Sequence, residues 1–203
     1  MESALSAGVI KKVPTSTCGV IGPTHRYPMP EPDPRVIGFH IDYKRTKYLA
    51  ELLVQEYVQK GMNIVIVNPS RVYGEGPITD SNTVGKMVSG YLKGKWRIVP
   101  GDGTQVANYV YVDDVVNGHI SAMEKGLAGN RYILGGEDIS FAHFFKEVQS
   151  ISCKKYRLFN IPQQWIKLYS RIEKLKTIIT GIPPVLLPEF AERLKYDQRY
   201  SSH

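Results

Sequence analysis

The sequence predicts an α/β fold built on a parallel sheet, and three observations predict it. "NIVIV" at 63–67 is a short, unalternating apolar run, the pattern of a strand buried on both faces. A helix-length stretch from about Asp42 to Lys60, closed by Gly61, separates that run from a β-prone segment at 9–17, giving strand–helix–strand order. "YVYV" at 109–112 is then followed by a one-sided apolar pattern, so the alternation continues.

Residues 2–7 read as the last turns of a helix closed by Gly8. "VIKKVPTST" (9–17) reads as a strand, with Pro14 removing one ladder donor. Residues 22–38 are rich in proline and glycine and read as a loop. The helix at 42–60 takes its apolar weight from Leu49, Leu52, Leu53 and Val54. "NPSRVYGEG" (68–76) reads as a loop and 83–94 as a helix. Asp113 or Asp114 is placed to cap a helix whose Val115, Val116, His119, Ile120 and Met123 fall on one face. "RYILGG" (131–136) is a strand and turn. Helices are predicted at 140–151 and 162–180; the second opens on Pro162 and stops at Gly181. Its Trp165, Leu168, Tyr169, Ile172 and Leu175 form a stripe expected to pack a core, and His119 is read as a satisfied core histidine.

Composition narrows the function. With 42% apolar and 22% charged residues in 203, the chain has an ordinary globular make-up. No apolar run approaches the ~20 residues of a membrane helix, and the N-terminus lacks signal-peptide order, so no membrane partner is expected. Cys18 and Cys153 are too few for a disulfide framework, which fits a reducing cytoplasm. The net charge is +7, but Lys and Arg are spread without a basic run, so a solvated basic surface is expected rather than nucleic-acid binding. The adjacent Asp113 and Asp114 are read as structural, since hard-metal sites need more oxygen ligands; no metal is expected.

The chemistry concentrates in two stretches. Ser16 and Thr17 end the first strand, and Tyr43 and Lys47 stand four apart near the start of the following helix. Tyrosine titrates near ~10 in water and is a poor acid or base at neutral pH. An ammonium one helical turn away favours the phenolate form. A hydroxyl donor nearby would hold a carbonyl or alcohol oxygen beside such a tyrosine. A proton could then move at that oxygen while a cofactor exchanges hydride with the attached carbon.

"TSTCGVIG" (15–22), "YKRTKYLAE" (43–51), "NPSRVYGEG" (68–76) and "NYVYVDDVVNGHISAM" (108–123) resemble, in order and spacing, the extended short-chain dehydrogenase/reductase family of NAD-dependent epimerase/dehydratase type. The resemblance implies a Rossmann-like parallel sheet over 1–80 and 109–137, with a smaller α+β substrate lobe over 81–108 and 138–203. It implies that Thr17 is the hydroxyl donor, Tyr43 the acid/base, and Lys47 the residue that favours the phenolate and holds the nicotinamide ribose. Tyr43, Lys47, Pro69 and Ser70 would then bind the cofactor, NAD or NADP. It also implies a homodimer through the helix carrying Tyr43. Nucleotide-sugar enzymes of the family place asparagine where Arg71 stands and arginine where Ala107 stands. "NYVYVDDVV" is closer to the branch of dihydroflavonol reductases and 3β-hydroxysteroid dehydrogenases. The function expected is therefore an NAD(P)-dependent oxidoreductase of a ketone or alcohol on a small organic substrate, with Arg71 and Asn108 as candidate substrate contacts. The alternatives are a nucleotide-sugar epimerase or dehydratase and a non-catalytic, truncated interaction protein.

A dinucleotide site of this type needs a Gly-rich turn between its first strand and helix. "GEGPIT" (74–79) and "GDGTQV" (101–106) do not open a βα unit, so the sheet is expected to be incomplete, its first strands and Gly-rich turn lying outside an N-terminally truncated chain. The 203-residue polypeptide alone is accordingly expected to be a poor dehydrogenase. Calorimetric titration should give no micromolar affinity for NAD(H) or NADP(H); micromolar binding would contradict that expectation.

Overall fold

The computed structural model describes residues 2–22, 42–79, 82–180 and 196–201. They belong to two compact units, one of Met1–Gly76, Asn108–Glu137 and Arg199–His203, the other of Pro77–Ala107 and Asp138–Gln198. The predicted loop at 22–38 lies, beyond Gly22, outside the described residues. No helix among the described residues is long and apolar enough to cross a membrane.

The first unit is organised around strand β1, Ile66–Pro69. On one side β1 pairs in parallel with β5, Arg131–Leu134, in the register Ile66↔Arg131 to Pro69↔Leu134. On the other it meets the 12–16 segment, also parallel, at Lys12↔Ile64 and Thr15↔Val67. The predicted strand at 9–17 is thus reduced to two bridges, and Pro14 is the reason. Lys12 N donates to Asn63 O, Val65 N to Lys12 O, Val67 N to Pro14 O and Ser16 N to Val67 O. The missing rung falls where residue 14 would donate, and proline has no N–H.

Helices cover both faces of β1. Helix α2, Asp42–Gln59, sets Val54 and Tyr57 against Ile64 and Ile66. Helix α4, Val112–Lys125, sets Ala122 against Val65 and Val67. A strand sandwiched this way is expected to be largely apolar without alternation, and Ile64 through Val67 are all buried. A short helix α1, Glu2–Ser6, precedes the sheet. Gly61 supplies the positive φ, 90°, that turns the chain from α2 toward the strand.

Leu49, Leu52 and Leu53 of α2 are exposed, while Lys44 and Glu51 are buried. The face toward the sheet carries polar groups because they are partnered there, as shown below. Within the stretch read as a loop, β2, Arg71–Tyr73, pairs in parallel with Tyr109–Tyr111 of β4, Val106–Tyr111. Helix α4 begins at Val112, directly after Tyr111, so Asp113 and Asp114 occupy its first turn rather than a cap. Their carboxylates there face the partial positive charge of the helix N-terminus. Of the expected apolar face only Val115 is buried, and Val116, Ile120 and Met123 are exposed. Gly118 and Ala122 continue the inner face, because a Cβ at Gly118 would lie 2.6 Å from Leu134.

The second unit contains α3 (Thr83–Leu92), β3 (Ile98–Pro100), α5 (Phe141–Ser152), β7 (Phe159–Ile161) and α6 (Gln163–Thr180). The chain enters it a second time through β6, Glu137–Ser140. Asn82 Oδ1 caps α3 by accepting from Gly85 N, and Ser140 Oγ caps α5 by accepting from His143 N. Strands β3 and β7 pair in parallel, Ile98↔Phe159 to Pro100↔Ile161. The core joins Met87, Tyr91, Val99, Phe141, Phe145 and Ile166. The buried Tyr91 hydroxyl donates to Lys154 O and accepts from Tyr156 N. The predicted stripe on α6 does not pack this core: Trp165, Leu168, Tyr169, Ile172 and Leu175 are exposed, and Ile166, Ser170 and Glu173 are buried instead.

Phe145 is fully buried between Tyr91, Trp96 and Phe144. Phe145→Ala should cost about 3–5 kcal/mol in urea unfolding. Ile151→Ser, at an exposed position, should stay within about 0.5 kcal/mol.

Candidate active site

The C-terminal ends of parallel strands form the mouth where ligands bind in open α/β sheets. In the first unit that mouth is made by Ser16 and Thr17 after the bridging segment and by Pro69 and Ser70 at the end of β1. Thr17 is extended, φ −160° and ψ 145°, and caps the 3₁₀ turn Cys18–Val20. Its Oγ1 accepts from Gly19 N at 3.1 Å, which leaves the hydroxyl proton to be donated elsewhere.

Helix α2 brings Tyr43 and Lys47 to the same end. Tyr43 is the second residue of the helix and 57% exposed. Lys47, one turn on, donates from Nζ to Thr15 O at 3.0 Å and stands 5.9 Å from the Tyr43 ring centroid. The ammonium is thereby anchored on the strand that ends in Thr17. A turn earlier in register, Lys44 lies along Gly19, where a Cβ would come within 2.9 Å of Lys44 Cε. Thr15 also uses its hydroxyl, hydrogen-bonded to His119 Nε2 at 2.8 Å, while His119 Nδ1 meets Val115 O at 2.7 Å. With a carbonyl as its only possible partner, Nδ1 carries the proton in the neutral ring, and Nε2 accepts from Thr15.

The tie between Thr17 and the helix runs through residues that the sequence reading passed over. Asn68, wholly buried in β1, donates from Nδ2 both to Thr17 O at 3.0 Å and to Glu51 Oε1 at 2.8 Å. The other Glu51 oxygen meets Arg131 Nη2 of β5 at 2.6 Å. Cys18 Sγ donates to Asn68 O. The available signal was a polar residue closing an unalternating apolar run, together with a glutamate one turn after Lys47. Neither revealed a partner.

Of the remaining predicted residues, Pro69 is buried in β1 opposite Leu134, and Ser70 N donates to Leu134 O. The Ser16 and Ser70 hydroxyls are buried without a hydrogen-bond partner among the described residues. Arg71 is turned to Tyr109, its guanidinium carbon 5.8 Å from that ring centroid. Burial pushes the Tyr109 phenol up, and the Arg71 charge opposes that rise. Asn108 is buried, and its carboxamide is spent on the Gly136 backbone: Nδ2 donates to Gly136 O at 3.0 Å and Oδ1 accepts from Gly136 N at 2.9 Å. This pair of bonds has a structural use. It holds Gly136 so close to β4 that a Cβ there would lie 2.2 Å from Tyr109 O.

Comparison with known proteins gives four matches. Residues 1–135 match the NAD dependent epimerase/dehydratase family. A candidate dihydroflavonol 4-reductase of Synechocystis sp. is 34% identical over 163 residues, covering 75% of this chain and 45% of the relative. UDP-glucuronic acid decarboxylase 3 of Arabidopsis thaliana is 29% identical over 193 residues, covering 91% of this chain and 56% of the relative. This chain spans about half the length of these curated relatives. Among solved structures, that of gox2253 superposes with a TM-score of 0.77 at 30% identity, covering 99% of this chain and 61% of that one.

Proposed function

The chain belongs to the NAD-dependent epimerase/dehydratase family of Rossmann-fold enzymes, and on that premise we propose that it carries the proton-transfer machinery of an NAD(P)-dependent oxidoreductase acting on a ketone or alcohol. Thr17 donates a hydrogen bond from its hydroxyl to the substrate oxygen. Tyr43 delivers a proton to that oxygen in reduction and removes it in oxidation. Lys47 stabilises negative charge as it develops on the Tyr43 oxygen. The observation that carries this reading is the seat of Lys47, fixed by the Thr15 carbonyl at 3.0 Å, one helical turn from Tyr43.

The residues at the strand mouth fit a nicotinamide nucleotide. The Ser70 hydroxyl, buried without a hydrogen-bond partner among the described residues, supports a polar ligand there, and Lys47, Pro69 and Ser70 would hold the cofactor beside Tyr43. When bound, the nucleotide supplies or accepts the hydride.

A ketone or alcohol substrate is supported by the 34% identity to the candidate dihydroflavonol 4-reductase. It is supported further by Ala107, buried where nucleotide-sugar enzymes are expected to present arginine. The match to a UDP-glucuronic acid decarboxylase over 91% of the chain favours the second reading, chemistry on a nucleotide sugar. Thermal-shift panels of small ketones against sugar nucleotides, run on the full-length enzyme, separate the two. Tyr43→Phe in that enzyme should lower turnover roughly 10²–10⁴-fold and leave the circular dichroism unchanged; unaltered turnover would contradict the role given to Tyr43, and absence of turnover in the unmutated enzyme would favour a non-catalytic interaction protein.

A second copy of the chain is proposed to pack on the outer face of α2, where Leu49, Leu52 and Leu53 are each about half exposed. Leu52→Glu combined with Leu53→Lys should move the mass measured by light scattering from dimer to monomer. A wild-type protein that is already monomeric at micromolar concentration would refute this interface.

A further inference from the structure

We infer that Asn68 and Glu51 are positioning residues: their buried bridge sets where Thr17 stands relative to the helix that carries Tyr43. The inference rests on the roles given above to Thr17 and Tyr43.

The Asn68 carboxamide has two N–H groups, and each goes to a different element. One reaches the Thr17 carbonyl at 3.0 Å and the other Glu51 Oε1 at 2.8 Å. Asn68 is 0% exposed and Glu51 4%, so water cannot substitute for either bond. Arg131 balances the carboxylate charge through the second oxygen, which anchors α2 to β5 as well. The main chain of Asn68 works on the same target, because its carbonyl accepts from the thiol of Cys18, the residue after Thr17. Residues 17 and 18 are therefore held from both the side chain and the backbone of one strand position.

The pattern of satisfaction argues that the donors are what this position needs. Asn68 Oδ1 is buried without a hydrogen-bond partner among the described residues. A half-satisfied amide in a core of isoleucine and valine is unfavourable if filling space is all that is required. It is explained if two donors must point in two directions from one side chain. Aspartate has the same shape and no donors, and would set acceptors against the Thr17 carbonyl and the Glu51 carboxylate.

The test uses the full-length enzyme with cofactor bound. It follows NAD(P)H absorbance with the best-turned-over ketone of a small panel. Asn68→Asp should lower kcat roughly 10–100-fold, the effect of moving a catalytic group by about an ångström, with KM within about twofold. The charge-conserving pair Asn68→Asp with Glu51→Gln restores a donor–acceptor bridge from helix to strand but leaves Thr17 O without its donor. That pair should regain the thermal midpoint of the wild type while kcat stays low, and it decides the matter even where Asn68→Asp alone does not fold. Recovery of kcat together with the midpoint would reduce the bridge to a stabilising contact and overturn the inference. So would a folded Asn68→Asp enzyme with wild-type kcat when Thr17→Val and Tyr43→Phe are inactive. Turnover surviving in Thr17→Val and Tyr43→Phe would instead overturn the reading beneath it, and this inference with it.

Discussion

One buried carboxamide joins the parts of the site that the sequence separates most widely. Asn68 lies 51 positions from Thr17 and 17 from Glu51, and bonds both. Two charges of opposite sign, Glu51 and Arg131, meet behind it in surroundings where an unpaired ion would be strongly disfavoured. Each member depends on the others: the carboxylate needs the guanidinium and the amide, and the amide needs acceptors on two sides. The arrangement makes β1 more than an apolar floor. It is the reference frame against which both the helix and the strand mouth are set.

The sheet explains why that frame is rigid. β1 has pairing partners on both edges and helices on both faces, so its residues have no solvent-facing direction. Asn68 follows four buried apolar residues, Ile64 to Val67, and inherits their immobility. The edge formed by the 12–16 segment is looser, because Pro14 removes one rung. The Lys47 ammonium on Thr15 O, the Lys44 chain along Gly19 and the Asn68 bond to Thr17 O tether that segment at three heights. Side chains of α2 and β1 thus do part of what a full ladder would do.

Helix ends and the central strand were legible because their signals are local. Gly61 marks the end of α2, and "NIVIV" lacks alternation because both faces of its strand are covered. Strands of three or four residues such as β2, β3, β6 and β7 are too short to show a period, so none of them was legible. Facing was misread where polar groups are buried with partners. In α6 the apolar stripe is exposed while Ser170 and Glu173 are buried. Within the proposed site, Thr17, Tyr43 and Lys47 were singled out by residue type and by resemblance to the family. Asn68, Glu51 and Arg131 were not, since nothing in a single chain pairs polar residues so far apart.

What the account asks of the molecule is that the Thr17 hydroxyl and the Tyr43 phenol converge on one substrate oxygen. A crystal structure of the full-length enzyme with nicotinamide cofactor and a bound ketone tests this most directly. The account predicts the carbonyl oxygen within about 2.6–3.2 Å of both Thr17 Oγ1 and Tyr43 Oη. A ketone bound productively against the cofactor, with its oxygen met by neither hydroxyl, would contradict it.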